Sequence, residues 1–500
     1  MENTLNLNAF GKNDIRGIFP SEVNREVFFW AAKGYVAFVL DEFKKSGHEK
    51  TAKELLFTVC MDARTHSTEL KNAIIQGVIS SGANILDLGM APTPLGYFSE
   101  FAKLDSEITD GKKVLGALIV TASHNPSEYN GLKMTFNKKS LTEEKIASVK
   151  KFTQELYEQK GGYRQIINGF CREYDIISTY QNKIFNMFNA IGKGIKIVVD
   201  SANATGGIVA PQLYRDLGCD VVEMYSEPDG SFPNHHPNPS DIKTLDDIRK
   251  KVVETKADFG IAFDGDSDRI GVIASDGSII TGDKLLLIYA TDLINSLSSR
   301  GEKPTVVSEV KCSQVLYDTI ERLGGIAIMT KTGHGYIKSK MRETGAMLAG
   351  EMSGHTFFKD RYYGYDDAIY AGCRLIEIVA KYRQNNPNFD LKEMLEPFNQ
   401  VYLSDEVRLK CPNEYKKDVL EALKSKINEE LFKSKIKEII TIDGLRIIFD
   451  DGFALIRQSN TEPVFTLRFE AKTKEKCEQY KNTLVDLTLN TVERYCTQKV

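Results

Sequence analysis

Phe259-Gly260-Ile261-Ala262-Phe263-Asp264-Gly265-Asp266-Ser267-Asp268-Arg269-Ile270-Gly271-Val272-Ile273-Ala274 is an apolar run, a short acidic loop and a second apolar run. An apolar run of that length, bounded by glycine-containing polar residues, predicts a buried strand. The loop sets the carboxylates of Asp264, Asp266 and Asp268 at alternate positions. Such density repels itself unless a cation neutralises it. Oxygen-only ligands select a hard cation, Mg²⁺ or Ca²⁺. A calcium loop of the EF-hand type needs Gly at its sixth position and Glu at its twelfth. Those positions hold Arg269 and Ser275, so that reading fails. Compact carboxylates plus one outside oxygen suit Mg²⁺ shared with a phosphate. The competing reading, a solvated acidic turn, fits poorly between two apolar flanks.

The same alternation recurs on both sides. Apolar runs stand at 55–61 (LLFTVCM), 114–120 (VLGALIV), 195–199 (IKIVV) and 305–310 (TVVSEV), and residues 70–86 have helical spacing. Strands separated by helices predict parallel α/β layers. Ligand sites in such layers gather at the carboxyl ends of strands. The run 114–120 leads into Thr121-Ala122-Ser123-His124-Asn125-Pro126, and 346–349 leads into Gly350-Glu351-Met352-Ser353-Gly354-His355. With the acidic loop, these suggest three α/β modules facing one cleft. The tail differs: a lysine-rich amphipathic helix at 415–435, alternation over 439–456 around Asp451-Gly452, a strand at 464–469 and a helix at 472–495. That pattern predicts an α+β domain with an antiparallel hairpin. Turn-rich punctuation near 161–162, 276–277 and 385–390 divides the chain into 1–165, 166–278, 279–388 and 389–500.

Pro126 ends any regular element after 114–120, so Ser123 sits on an exposed turn. A bare serine is a poor nucleophile and needs a base, a metal or prior phosphorylation. His124 is adjacent, but neighbours on a turn often point apart, and the ring is not assigned as its base. Alone, Ser123 reads equally as a turn or capping serine. The surroundings are neither G-x-S-x-G nor a Walker A loop. Glu351 and Ser353 offer a carboxylate and a hydroxyl to vicinal sugar hydroxyls, although an ordinary loop would look the same. Arg457-Gln458-Ser459-Asn460-Thr461-Glu462-Pro463 sets a guanidinium, hydroxyls and an amide between two strands. That is an oxyanion cup, since Arg presents a fork of donors matched to phosphate, or a polar hairpin turn.

Five hundred residues exceed one hydrophobic core. A net charge of −4, from 65 basic and 69 acidic residues, argues against nucleic acid as a bulk partner. Met1-Glu2-Asn3-Thr4 does not begin a secretory signal, and no apolar run reaches the ~18–20 residues that span a bilayer. The 8 cysteines are scattered without a C-x-x-C pair, which reads as reduced thiols. A cytoplasmic enzyme with no membrane partner is expected. Its oligomeric state is not legible.

Together, the serine loop, the acidic loop, the Gly350–His355 loop and the Arg457–Pro463 segment resemble the α-D-phosphohexomutase family. The likeness runs from Asp14-Ile15-Arg16-Gly17 to Arg457–Pro463, and is strongest to the bacterial phosphomannomutase/phosphoglucomutase branch. Phe357-Phe358-Lys359-Asp360-Arg361 and Asp366-Asp367 point to that dual branch. Phosphoglucosamine mutases are similar but typically carry Gln where Met352 stands. The resemblance implies four domains around a deep cleft, three of them related α/β/α modules. It implies a phosphoserine at Ser123, with Mg²⁺ held by that residue, Asp264, Asp266 and Asp268. Arg16, His124, Lys133 and Arg269 would surround it. Thr332, Gly333, His334, Glu351 and Ser353 would contact the sugar, and Arg457, Ser459, Asn460 and Thr461 the non-reacting phosphate. Lys311 and His355 match positions suspected in proton transfer. The implied reaction converts hexose 1-phosphate and hexose 6-phosphate through a hexose 1,6-bisphosphate. A phosphoglucosamine mutase or a silent sugar-phosphate-binding protein are the alternatives. The family often has Tyr where Asn13 stands, so a phenol contact is lost or replaced here. The 228–239 segment matches a further family stretch without an assigned role.

Overall fold

The computed structural model describes residues 5–159, 169–298, 300–459 and 462–497. The chain divides into two compact units. One comprises 1–280, 353–357 and 365–390; the other comprises 281–352, 358–364 and 391–500.

The first unit holds two sheets. In the first, Leu56–Met61 lies parallel to Val114–Val120 on one side and to Asn84–Met90 on the other, and Cys171–Glu173 continues the parallel order. Direction then reverses: Tyr129–Phe136 pairs antiparallel with Val114–Val120, and Ile15–Ile18 antiparallel with Tyr129–Phe136. Helix Arg25–Lys45 starts at Asn24, whose side chain accepts from Glu26 N and Val27 N. Its Val27, Phe28, Ala31 and Tyr35 share an apolar cluster with Phe57, Val59, Leu118 and Val120. In the second sheet Phe259–Phe263 is buried throughout. It runs parallel to Lys196–Asp200 and antiparallel to Ile270–Ala274. Both the serine loop and the acidic loop therefore join antiparallel neighbours, which makes each sheet mixed, as expected of the α/β/α modules that the family resemblance implies.

The helix expected over 70–86 is Ser67–Ser80. Ser81-Gly82 stops it, with Gly82 at φ +84°, and Leu86 belongs to strand Asn84–Met90. Asp276-Gly277 is a tight turn, Gly277 N donating to Ala274 O at 2.9 Å, and it joins Ile270–Ala274 to Ile279–Ile280.

In the second unit Thr305–Glu309 is the middle of three parallel strands, flanked by Ile326–Thr330 and Leu348–Gly350. The tail forms the expected antiparallel sheet, Ile436–Ile440, Leu445–Phe449, Gly452–Gln458 and Val464–Ala471 in order. Val407–Lys410 and Tyr402–Leu403 both pair with its last strand. The stretch 415–435 is not one helix: Lys416–Lys426 ends, and Glu429–Phe432 restarts. Asn428 is extended and its Oδ1 accepts from Leu431 N at 2.9 Å, a cap that outcompetes continuation. Helix Lys474–Thr497 adds Tyr480 and Leu484 to a core with Val419, Leu423, Phe449 and Phe465. No helix of the described residues is long and apolar enough to cross a membrane.

Candidate active site

In the first unit the serine loop meets the acidic loop. Ser123 Oγ donates to Asp264 Oδ2 at 2.7 Å. It also lies 3.1 Å from His124 Nδ1. The two side chains, which the sequence alone did not pair, come within hydrogen-bond distance, and Ser123 holds a left-handed φ of +49°. Ser267, on the acidic loop, is likewise left-handed at +57°. Such conformations persist only where their surroundings over-determine them. The approach of the loops is close: a Cβ on Gly265 would stand 2.5 Å from Ser123 O, so only glycine fits.

Asp264, Asp266 and Asp268 are buried, and one oxygen from each lies within 4.8 Å of the others. Burial, then the charges of Asp268 and Asp266, push the Asp264 carboxyl well above its usual range. Lys133 Nζ donates to Asp266 Oδ2 and Asp268 Oδ2, both at 2.6 Å. Burial disfavours that ammonium, but the two carboxylates outweigh it and raise its pKa well above normal. Asp268 is held low, since Lys133 and His355 overcome its burial. One lysine leaves the set unsatisfied: Asp266 Oδ1 and Asp268 Oδ1 are buried with no hydrogen-bond partner among the described residues. Stranded anionic oxygens beside a carboxyl forced towards neutrality are what a hard divalent cation would relieve. The group can hold an ion.

Basic side chains close around it. Arg16 Nη1 donates to Asn125 Oδ1 at 2.7 Å and to Ala122 O at 3.2 Å, and Nη2 to Asp14 Oδ2 at 2.5 Å. Its Nε is buried without a partner among the described residues. Arg269 Nε donates to His355 Nε2 at 2.9 Å. His355 Nδ1 faces Asp366 Oδ2 at 3.1 Å and Asp268 O at 3.1 Å. The imidazole proton therefore belongs on Nδ1. Burial, then Arg269 and Arg16, pull His124 down to about 2, which makes it a neutral ring at ordinary pH.

Sequence reasoning missed Arg64. This buried guanidinium gathers the backbone of the serine loop. Nη2 donates to Ser123 O at 2.9 Å and Asn125 O at 2.6 Å, and Nη1 to Tyr129 O at 3.1 Å and to Pro126 O. Its Nε is fixed by Asp62 Oδ2 at 3.0 Å. The signal was present: Asp62-Ala63-Arg64 follows directly on the strand Leu56–Met61. Thr93 was also missed; its hydroxyl donates to Asp266 Oδ2 at 2.6 Å.

The second unit gathers most of the expected sugar and phosphate residues. Lys311, Thr332 with Gly333, and Glu351 follow the carboxyl ends of the three parallel strands. Gly333 N donates to Glu351 Oε1 at 2.6 Å, and His334 opens helix His334–Thr344. Arg457, on Gly452–Gln458, is 5% exposed and donates from Nε to Asp443 Oδ2 at 3.0 Å. Ser459 N donates to Val464 O at 3.0 Å and its Oγ accepts from Glu462 N at 3.2 Å. Ser353 is not among them: it belongs to the first unit, where its carbonyl accepts from Ser240 Oγ at 3.1 Å. Asn460 and Thr461 lie outside the described residues.

Comparison with known proteins gives this arrangement its context. Four family profiles match in chain order: phosphoglucomutase/phosphomannomutase alpha/beta/alpha domain I over 7–160, domain II over 177–277, domain III over 281–398 and the C-terminal domain over 406–487. A phosphomannomutase/phosphoglucomutase of Pseudomonas aeruginosa is 36% identical over 479 residues, 96% of this chain and 95% of the relative. A phosphoglucomutase of Neisseria gonorrhoeae is 36% identical over 476 residues, 95% of each. A crystal structure of a phosphoglucomutase/phosphomannomutase family protein from Burkholderia thailandensis superimposes with a TM-score of 0.83 at 33% identity, covering 97% of both chains. With three α/β/α domains, a distinct C-terminal domain and likeness along nearly its whole length, this chain belongs to the phosphoglucomutase/phosphomannomutase family of phosphohexomutases.

Proposed function

We propose that this phosphohexomutase interconverts the 1- and 6-phosphates of mannose and/or glucose, with Ser123 as phosphoryl carrier and a hexose 1,6-bisphosphate as intermediate. The observation that carries the reading is Ser123 Oγ, 2.7 Å from Asp264 Oδ2, beside buried carboxylate oxygens that have no hydrogen-bond partner among the described residues. Asp264, Asp266, Asp268 and the oxygen on Ser123 would hold Mg²⁺, which supplies charge neutralisation and orientation at the transferring phosphoryl group.

The residues divide the remaining work. Arg16, Lys133 and Arg269 offset negative charge around the phosphorylated serine. The hexose O1 or O6 hydroxyl attacks that phosphorus, the bond to Ser123 Oγ breaks, and the hydroxyl proton passes to His355 or Lys311. After the bisphosphate turns over, the other phosphoryl group returns to Ser123 Oγ. Arg457, Ser459, Asn460 and Thr461 are proposed to grip whichever phosphate is not reacting. Such a cup reads an oxyanion and not a ring position. Thr332, Gly333, His334, Glu351 and Ser353 are proposed to meet the ring hydroxyls. His124, neutral beside Ser123 Oγ, is suited to donate or accept one hydrogen bond there. The domain limits 165, 278 and 388 and a cytoplasmic location complete the proposal.

Ser123→Ala is expected to abolish turnover of glucose 1-phosphate and mannose 1-phosphate, read by direct product detection. EDTA removes activity and Mg²⁺ restores it. Turnover by Ser123→Ala near the wild-type rate overturns the carrier assignment. Preference for glucosamine 1-phosphate in the same panel would favour the amino-sugar reading.

A further inference from the structure

The middle strand of the parallel sheet in the second unit ends on a carboxylate. Glu309 closes Thr305–Glu309 and is fully buried. Register puts it opposite Thr330, and puts Ser308 opposite Gly350, so Glu309 stands between the loops that leave both flanking strands. It uses that place fully. Oε2 accepts from the Thr332 hydroxyl at 2.5 Å, and Oε1 from Met352 N at 2.8 Å. Lys311 Nζ lies 3.6 Å from Oε1. One anion therefore ties together three loops, each bearing a residue proposed to meet the substrate.

A second carboxylate extends this to the phosphate cup. Asp443 Oδ2 accepts from Thr332 N at 3.1 Å and from Arg457 Nε at 3.0 Å. Thr332 is thus held by its amide to Asp443 and by its hydroxyl to Glu309. Charge-assisted bonds of this kind are short and directional, and buried ones lock the groups that make them.

We infer that Asp443 and Glu309 are positioning residues forming one relay, Arg457–Asp443–Thr332–Glu309, which sets the sugar-contacting loops in register with the guanidinium that grips the phosphate. The inference rests on the reading of those loops as the hexose-phosphate site. It goes beyond that reading by separating the two ends: Glu309 orders only the ring contacts, whereas Asp443 orders both. The Thr332 hydroxyl, having donated to Glu309, can only accept from a sugar hydroxyl. Glu309 holds both neighbours by accepting; its amide variant, with its one oxygen on Met352 N, forces the Thr332 hydroxyl to accept instead of donate and removes the charge facing Lys311, while keeping the side-chain shape.

Equilibrium binding to the full chain distinguishes the ends. Glu309→Gln is expected to weaken glucose 6-phosphate about tenfold while inorganic phosphate changes less than about twofold. Asp443→Ala weakens both ligands about tenfold, and the double variant falls short of the product of the single effects. Amide hydrogen exchange gives a readout independent of any ligand: the Thr332 amide exchanges at least about tenfold faster in Asp443→Ala. Equal weakening of both ligands in Glu309→Gln, multiplicative effects in the double variant, or unchanged exchange at Thr332 overturns the relay. Should Glu309→Gln fail to fold, Asp443→Ala decides through exchange and binding. If wild-type protein binds neither ligand while exchange at Thr332 responds as expected, the relay stands and the hexose-phosphate reading falls.

Discussion

Arg64 in the first unit and Glu309 in the second do the same mechanical work with opposite charge. Each follows or ends an inner strand, each is buried, and each gathers loops at strand ends. Arg64 takes carbonyls: those of Ser123, Asn125, Pro126 and Tyr129 all turn towards it. Glu309 takes donors, a hydroxyl, an amide and an ammonium. The difference follows from what each loop must present. A loop proposed to carry a phosphoryl group gains by withdrawing its carbonyl dipoles from that anion, and a buried cation withdraws them. Loops proposed to meet the neutral hydroxyls of a sugar ring need no such sign, and a buried anion can spend their donors on register.

The largest test of the contrast is Arg64→Ala. It leaves Asp62 and the gathered carbonyls buried without their partner, at a cost of roughly 3–5 kcal/mol. Thermal unfolding should show that loss together with collapse of turnover. Arg64→Lys, which keeps the charge but not the fork, should recover only part of either.

The two units share one feature, a buried carboxyl of raised pKa, and each can be tested separately. Burial first, against the hydrogen bonds of Thr135 and Lys138, raises Glu100 in the first unit to about 7. Burial first, against Ser313 and Arg446, raises Glu470 in the second unit to about 7. A carboxyl whose folded value is raised stabilises fully below its unfolded pKa of about 4.5 and loses that contribution as pH climbs through about 7. The loss is on the order of 3 kcal/mol for each. Melting temperature should therefore fall between pH 5 and 8. Glu100→Gln should flatten that fall for the first unit and Glu470→Gln for the second; unchanged profiles would refute the assignment.

Smaller changes probe the serine side alone. Gly265→Ala drives a methyl towards Ser123 O and should lower kcat about a hundredfold with less effect on stability, since a displacement near 1 Å can cost that much. The Phe232 ring lies 5.3 Å from the Arg64 guanidinium carbon. Phe232→Leu should cost only about 0.5–1 kcal/mol, the range of a cation–π contact, with turnover almost intact.

How much of this was written in the sequence follows a physical line. Runs such as 259–263 were legible because a strand buried on both faces must be apolar, and Phe259–Phe263 forms at those limits. The acidic loop was legible because alternate carboxylates are costly without a counter-ion. The antiparallel returns at Tyr129–Phe136 and Ile270–Ala274 were not, since strand direction depends on partners and not on local pattern. Asn428 shows the same limit for helices, where one cap overrode a periodicity that continued past it. Arg64 and Glu309 escaped because a buried charge looks in sequence like any other charge at a strand end. Only the carbonyls and amides brought to it by distant segments reveal its work. The approach of His124 to Ser123 was illegible for a related reason, a left-handed backbone at a residue that is not glycine.

The chain leaves the first unit after Ile280 and later returns to it, first for 353–357 and again for 365–390. The last return includes helix Ala368–Arg383. There the hydroxyl of Tyr214 donates to Ile369 O at 3.0 Å, and that of Tyr180 to Asp367 Oδ2 at 2.9 Å. A fragment cut at Ile280 would lack a wall of its own interior, and grafting a consecutive segment from a relative would exchange that wall unasked. Recombination of this enzyme with its relatives has to respect a braid, keeping 365–390 with the beginning of the chain and not with the residues that immediately precede it.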